Sequence, residues 1–122
     1  MELTIVEVER AETRPRVRFS SEVGSGTAVF FGPAPTAGDK RFVELELRPE
    51  IAEVRETDEP VGLRLEGATT IVVGRVESMA DDGLVTFSVG SLRLDVQLAR
   101  AVTLGRCYRF VADELEAWDC RY

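Results

Sequence analysis

Short apolar runs, separated by turn residues every eight to twelve positions, constrain this chain more than any other feature. Between Phe42 and Arg48 the alternation is clean: Val43, Leu45 and Leu47 share one face, and Glu44, Glu46 and Arg48 share the other. The same period of two runs through Val61, Leu63 and Leu65, and through Leu84–Val89 and Leu92–Leu98. Such segments bury one face and wet the other, as strands do. The chain therefore reads as all-β. It is one domain over residues 1–122, a single compact barrel or sandwich of about nine to ten short antiparallel strands.

In the first half, the strand from Leu3 to Glu9 switches its apolar face after Ile5, which marks a bulge or burial on both faces. Arg14–Phe19 and Thr27–Phe31 follow, with the turn-forming Gly24-Ser25-Gly26 between them. Residues 32–40 hold two prolines and two glycines, and form the longest loop and the expected mobile segment. Residues 49–57 read two ways. Pro49 suits the first turn of a helix, whereas a hairpin at Pro49-Glu50 sets Leu45 opposite Val54; the strand reading is preferred.

The second half is clearer. A long strand, Thr70–Met79, is broken by Gly74, and Asp82-Gly83 is a hairpin signal. A two-residue turn at Gly90-Ser91 pairs Val89 with Leu92, Phe87 with Leu94 and Val85 with Val96, with apolar side chains on one face throughout. A last hairpin is expected from Arg106–Ala112 and Leu115–Arg121, setting Phe110 opposite Ala117 and Cys107 opposite Cys120. A glycine-bent strand, a meander, a connection and two further strands is the element order of an OB-fold. Residues 70–122 are accordingly expected to be OB-like, with residues 1–69 enlarging the barrel, capping it or forming a second sheet. No internal repeat is evident.

At 122 residues and 44% apolar content, the chain can bury a core without staples. No apolar run approaches the ~18 residues that span a bilayer, and the first residues read as a strand rather than a leader. A complete cytoplasmic protein is expected, with no membrane partner. The net charge of −7 opposes binding to phosphate backbones, so nucleic acid is disfavoured as a partner. All but one of the basic residues are arginines, scattered along the chain, as a GC-rich bacterial coding bias produces.

Histidine is absent, which leaves no base to activate a serine or cysteine. No catalytic residue, cofactor or metal is expected, and the chain reads as a non-enzyme. Three clusters remain. Cys107 and Cys120 are a possible cross-strand cysteine pair, although reduced thiols are the plainer expectation in a cytosolic protein. Arg14, Arg16 and Arg18, with Phe19 beside them, form a candidate anion-binding ladder; the plainer alternative is a solvated face opposed by Glu44 and Glu46. Glu44, Glu46, Glu50, Glu53, Glu56, Asp58 and Glu59 make the densest charge in the chain, a candidate patch for a basic protein partner. Asp81 and Asp82 are accounted for by turn chemistry rather than metal ligation. The leading expectation is a protein-binding module, such as an immunity or inhibitor protein that neutralises a basic toxin. An OB-type binder of single-stranded nucleic acid or oligosaccharide, and a structural subunit, are the alternatives.

Overall fold

The computed structural model describes residues 1–121; the alternating segments have become strands with their apolar faces turned inward, except that Val61 lies outside its strand and is exposed. The strands are β1 (Glu2–Glu9), β2 (Arg16–Ser21), β3 (Gly24–Phe31), β4 (Lys40–Leu47), β5 (Arg55–Glu56), β6 (Gly62–Glu66), β7 (Thr69–Met79), β8 (Leu84–Val89), β9 (Leu92–Gln97), β10 (Cys107–Val111) and β11 (Leu115–Asp119). Among the described residues there is no helix, so residues 49–57 are not helical.

The pairings close into rings, which removes the sheet edges that would otherwise invite aggregation. In the first ring β1 pairs with β2, β2 with β3, β3 in parallel with β11, β11 with β4, and β4 with β1. In the second, β7 pairs with β8, β8 with β9, β7 with β10, and β10 with β5. A parallel bridge from Ile51 to Leu98 closes it, with Ile51 N–H donating to the Gln97 carbonyl at 2.8 Å.

The two rings follow one plan. Each starts with a strand bulged towards its end, between Ile5 and Glu7 in β1 and between Val76 and Ser78 in β7. Each continues into a hairpin with a two-residue turn, Ser21 facing Gly24 in one and Val89 facing Leu92 in the other. Phe19 stands where Phe87 stands: Phe19 is opposite Ile5 and Gly26, and Phe87 is opposite Val76 and Leu94. The fourth strand then pairs back onto the first, Arg41 with Leu3 and Tyr108 with Gly74. The two rings thus share one order of pairing.

The fifth strands are exchanged. Residues 51–56 follow the fourth strand of the first ring but complete the second, whereas β11 follows the fourth strand of the second ring and completes the first. The last hairpin expected from sequence is therefore absent. β10 and β11 leave the Asp113-Glu114 turn into different rings, and residues 70–122 do not close on themselves. The Leu45–Val54 hairpin is absent for the same reason, since Leu45 lies opposite Ala117.

The interiors hold Ile5, Val17, Phe19, Ala28, Val43 and Ala117 in one ring, and Val54, Val76, Val85, Phe87, Val96 and Phe110 in the other; all belong to one continuous core. β6 has no counterpart in the first ring. It pairs with the first five residues of β7 and touches β3 where Gly24 faces Leu63. There a Cβ on Gly24 would lie 1.9 Å from the Leu63 carbonyl oxygen, at a φ of 126° that side chains rarely adopt.

The loop of residues 32–39, expected to be the mobile segment, is stapled to β1 and β4 by hydrogen bonds. Arg41 donates to the carbonyls of Pro33 and Ala34 and to the Asp39 carboxylate, each at 3.0 Å. The loop also exchanges backbone hydrogen bonds with Ile5.

Candidate functional site

Residues 50–57 give the second ring an imperfect fifth strand, because only Ile51, Arg55 and Glu56 enter its ladders. An open groove of about 890 Å³ lies along this segment and the end of β10. Its apolar lining is Ile51, Val54, Phe110 and Val111. Five carboxylates, Glu50, Glu53, Glu56, Glu59 and Asp113, face three guanidiniums, Arg55, Arg100 and Arg109. The lining is thus net acidic by two charges.

These carboxylates differ in availability. Glu59 is held by Arg64 at 2.8 Å and by Arg109 at 3.3 Å, and Thr57 donates to it at 3.0 Å. The hydrogen bonds from Arg64 and Thr57 keep its carboxyl below the usual range. Glu56 has only a loose contact, 3.9 Å, with Arg106. Glu50 and Glu53 form no ion pair among the described residues, and both are exposed.

The acidic patch expected from sequence is divided. Glu50, Glu53, Glu56 and Glu59 share the groove, while Asp58 lies in an adjoining depression beside Arg106 and Cys107. Glu44 and Glu46 belong to the first ring, opposite Trp118 and Glu116 of β11, and Glu46 pairs with Arg48 at 3.0 Å.

The structure does not bring the arginine ladder and Phe19 together as one face. Phe19 is fully buried, so it cannot stack on a ligand. Arg16 and Arg18 stand opposite Glu9 and Glu7 of β1, not Glu44 and Glu46, because β2 is flanked by β1 and β3. Arg14 instead caps the ring of Phe31, 4.4 Å from its centroid. Phe31 stacks on Trp118 at 4.0 Å and 7°, and Arg48 covers Trp118 at 5.9 Å. Glu116 ties the stack together, accepting from Arg48 Nε at 2.8 Å and from Trp118 Nε1 at 3.0 Å. Burial pushes the Glu116 carboxyl up, but these two donors outweigh it and hold the carboxyl low. Sequence reasoning missed this stack because the parallel β3–β11 neighbourhood leaves no local signal.

It missed the buried Arg41–Asp119 pair for the same reason. Arg41 Nη1 meets the Asp119 carboxylate at 2.9 Å, with only 9% and 1% of the two side chains exposed. Burial pushes the Asp119 carboxyl up, but hydrogen bonds from the Arg121 side chain and backbone and from Arg41 prevail, and lower it to about 2.

The proposed cysteine pair is overturned. Cys107 lies opposite Arg75 in the second ring, Cys120 donates its backbone N–H to Phe42 in the first, and both thiols are free. Under mild oxidation the chain should keep two titratable thiols; loss of both in the monomer would contradict this placement.

No described helix is long and apolar enough to cross a membrane. Comparison with family models, with curated proteins and with solved structures finds no match.

Proposed function

We propose that this chain is a non-enzymatic protein-binding module whose acidic groove docks a basic segment of a partner. The observation that carries the reading is the combination of Glu50, Glu53 and Glu56 with an apolar lining in one open groove, while the neighbouring Glu59 is spent on Arg64 and Arg109. Unspent carboxylates beside apolar surface suit a partner that brings Lys or Arg together with hydrophobic anchors. An immunity or inhibitor protein acting on a basic toxin is the form of this function that size and charge favour.

Reversing three charges, Glu50→Lys, Glu53→Lys and Glu56→Lys, should slow association with an oligo-lysine probe about tenfold at low salt and flatten its salt dependence. Reversing Glu7, which lies outside the groove, should leave the rate unchanged. If the triple variant binds the probe as the parent does, the groove is not the docking site.

One observation favours an OB-type reading. The strands of the first ring run in the order one, two, three, five, four, with three and five parallel, an order that resembles a Greek-key barrel of the OB kind. Against nucleic acid stand the charge of −7 and the capping of Phe31 and Trp118 by arginines and by each other. Titration with oligothymidylate at low salt, followed by Trp118 fluorescence, decides it. A salt-sensitive change would favour the OB reading, and silence would remove it.

A further inference from the structure

The two rings share one order of pairing but not one extent, and the difference leaves an open stretch at the end of β10. Arg41 faces Leu3 as Tyr108 faces Gly74, so Phe42, Glu44 and Glu46 of the first ring match Arg109, Val111 and Asp113 of the second. In the first ring all three are paired with β11. Cys120 N–H donates to the Phe42 carbonyl at 3.0 Å, and Glu44 and Glu46 face Trp118 and Glu116. In the second, Arg109 faces Arg55, but the ladder ends there and the chain crosses to β9 at Ile51. Val111 and Asp113 face no fifth strand among the described residues.

Antiparallel strands direct the backbone groups of alternate residues to the same side. Arg106 and Ala112 bond toward β7: the Arg106 carbonyl accepts from Val76 N–H, and Ala112 N–H donates to the Thr70 carbonyl, both at 2.9 Å. The Cys107 carbonyl accepts from Thr57 N–H on the opposite side, at 3.0 Å. Val111 is in phase with Cys107, so its N–H and C=O point to that opposite side, where no backbone group of the described residues bonds to them. Asp113 is next in the same phase, and its carbonyl accepts from the Arg16 side chain at 3.3 Å. Val111 and Asp113 both line the acidic groove of about 890 Å³.

Resting on the acidic-groove reading above, we propose that the partner's basic segment is held here as a short antiparallel strand, paired with Val111 and Asp113 as β11 is paired with β4. The side chains state the pattern such a segment must carry. Val111, 42% exposed, and Asp113 turn outward, and Ala112 between them is buried. The partner residue opposite Asp113 is therefore Lys or Arg, the one opposite Val111 is apolar, and the one between them is small. A further cation beside this triplet meets the exposed Glu50 and Glu53. The lining carries five carboxylates against three guanidiniums, and Arg109 is already engaged by Glu59 at 3.3 Å and Glu66 at 3.5 Å. This excess of negative charge selects a basic strand, and makes a second copy of this chain, at −7, a poorer occupant. Backbone pairing supplies the hold and the alternating side chains the choice of partner.

The experiment is a titration of the labelled full chain with an acetylated, amidated Lys-Lys-Ala-Val peptide, followed by amide chemical shifts and hydrogen exchange. In the free protein the Val111 amide should exchange about tenfold or more faster than that of Ala112, which is bonded to β7. The peptide should shift the Val111 and Asp113 amides and slow exchange at Val111 about tenfold or more. The same peptide N-methylated on its second lysine and its valine keeps its charge but cannot pair, and should lose both effects. Asp113→Lys should weaken binding about tenfold. Shifts at Glu50 and Glu53 with an unmoved Val111 amide, or equal action by the N-methylated peptide, would overturn the pairing and leave the acidic groove standing. No shift anywhere in the groove at millimolar peptide would also overturn it; if the triple charge reversal then leaves oligo-lysine binding unchanged, the groove reading falls with it. A Val111 amide protected in the free protein as strongly as Ala112 would show the stretch already closed, by residues 52–54 or, where protection rises with protein concentration, by a second copy, and would equally refute the site.

Discussion

Replacing Arg41 by methionine will remove about 2–4 kcal/mol of stability. The substitution roughly keeps the aliphatic volume but leaves the Asp119 carboxylate, 1% exposed, with only the exposed Arg121 at 3.3 Å as its cation. It also strips two loop carbonyls, those of Pro33 and Ala34, of their donor. An isolated buried charge is costly, whereas the intact pair roughly balances its own desolvation. A loss of this size is a large fraction of the stability of an ordinary domain. Adding Asp119→Leu to Arg41→Met should therefore recover part of the loss, since no charge then remains buried. The carbonyls would still lack a partner, so recovery would be incomplete. Urea denaturation of the two variants checks this. If Arg41→Met costs under 1 kcal/mol, the pair is solvated and the loop is not stapled.

The Asp119 carboxylate sets an acid limit on the fold, through Arg121 first and Arg41 second. The Asp119 carboxyl is lowered to about 2 from an ordinary value of 3.8, and the Thr36 and Arg41 hydrogen bonds lower Asp39 as well. A depressed carboxyl stabilises the folded state above its unfolded pKa, and that contribution fades as the pH falls through the folded one. Melting temperature should hold steady above about pH 5 and drop between about pH 4 and 2. An Asp119→Asn variant should show a shallower drop in that window; a parallel curve would exclude Asp119 as its source.

Where pairing is local, the residues announced it. The β8–β9 register of Val89 with Leu92, Phe87 with Leu94 and Val85 with Val96 is as the alternation predicts, and the face switch after Ile5 is a bulge. The inward set Val43, Leu45 and Leu47 of β4 also holds. Where pairing is distant, nothing local records it: the β3–β11 and Ile51–Leu98 contacts are parallel and far apart in the chain. This is why the acidic patch was drawn as one cluster and the cysteines as one pair. The like pairing of the two rings leaves little trace in the sequence for a different reason. The two rings bury equivalent positions with different bulk. In the first ring Phe19 has Leu3 nearby on one flanking strand and Gly26 on the other; in the second, Phe87 has Gly74 and Leu94 in those places. A Cβ on Gly26 would come within 2.9 Å of Phe19, and one on Gly74 within 3.1 Å of Phe87. Each phenylalanine needs one glycine, but on opposite strands, so aligned identities cancel. Little survives in sequence beyond Val17-Arg18-Phe19-Ser20 against Val85-Thr86-Phe87-Ser88.

Exchange of the fifth strands makes each ring depend on a segment whose neighbours in the chain belong to the other, so the two should melt as one body. Phe19→Ala and Phe87→Ala test this, since both side chains are fully buried and each truncation should cost about 3–5 kcal/mol. The single tryptophan, Trp118, reports on the first ring from β11. Phe87 lies in the second, against Phe110 at 5.1 Å between ring centroids. In independent barrels, Phe87→Ala would lower the midpoint seen by far-ultraviolet dichroism but spare the one seen by Trp118 fluorescence. With strands exchanged, β11 cannot hold its place once β10 is released, and residues 51–56 cannot hold theirs once β4 is. Phe87→Ala should therefore shift the Trp118 midpoint as far as Phe19→Ala does, with dichroism and fluorescence superimposing in both variants. Two separated transitions in either variant would show that the rings are coupled by contact alone and that the exchange carries no cooperativity.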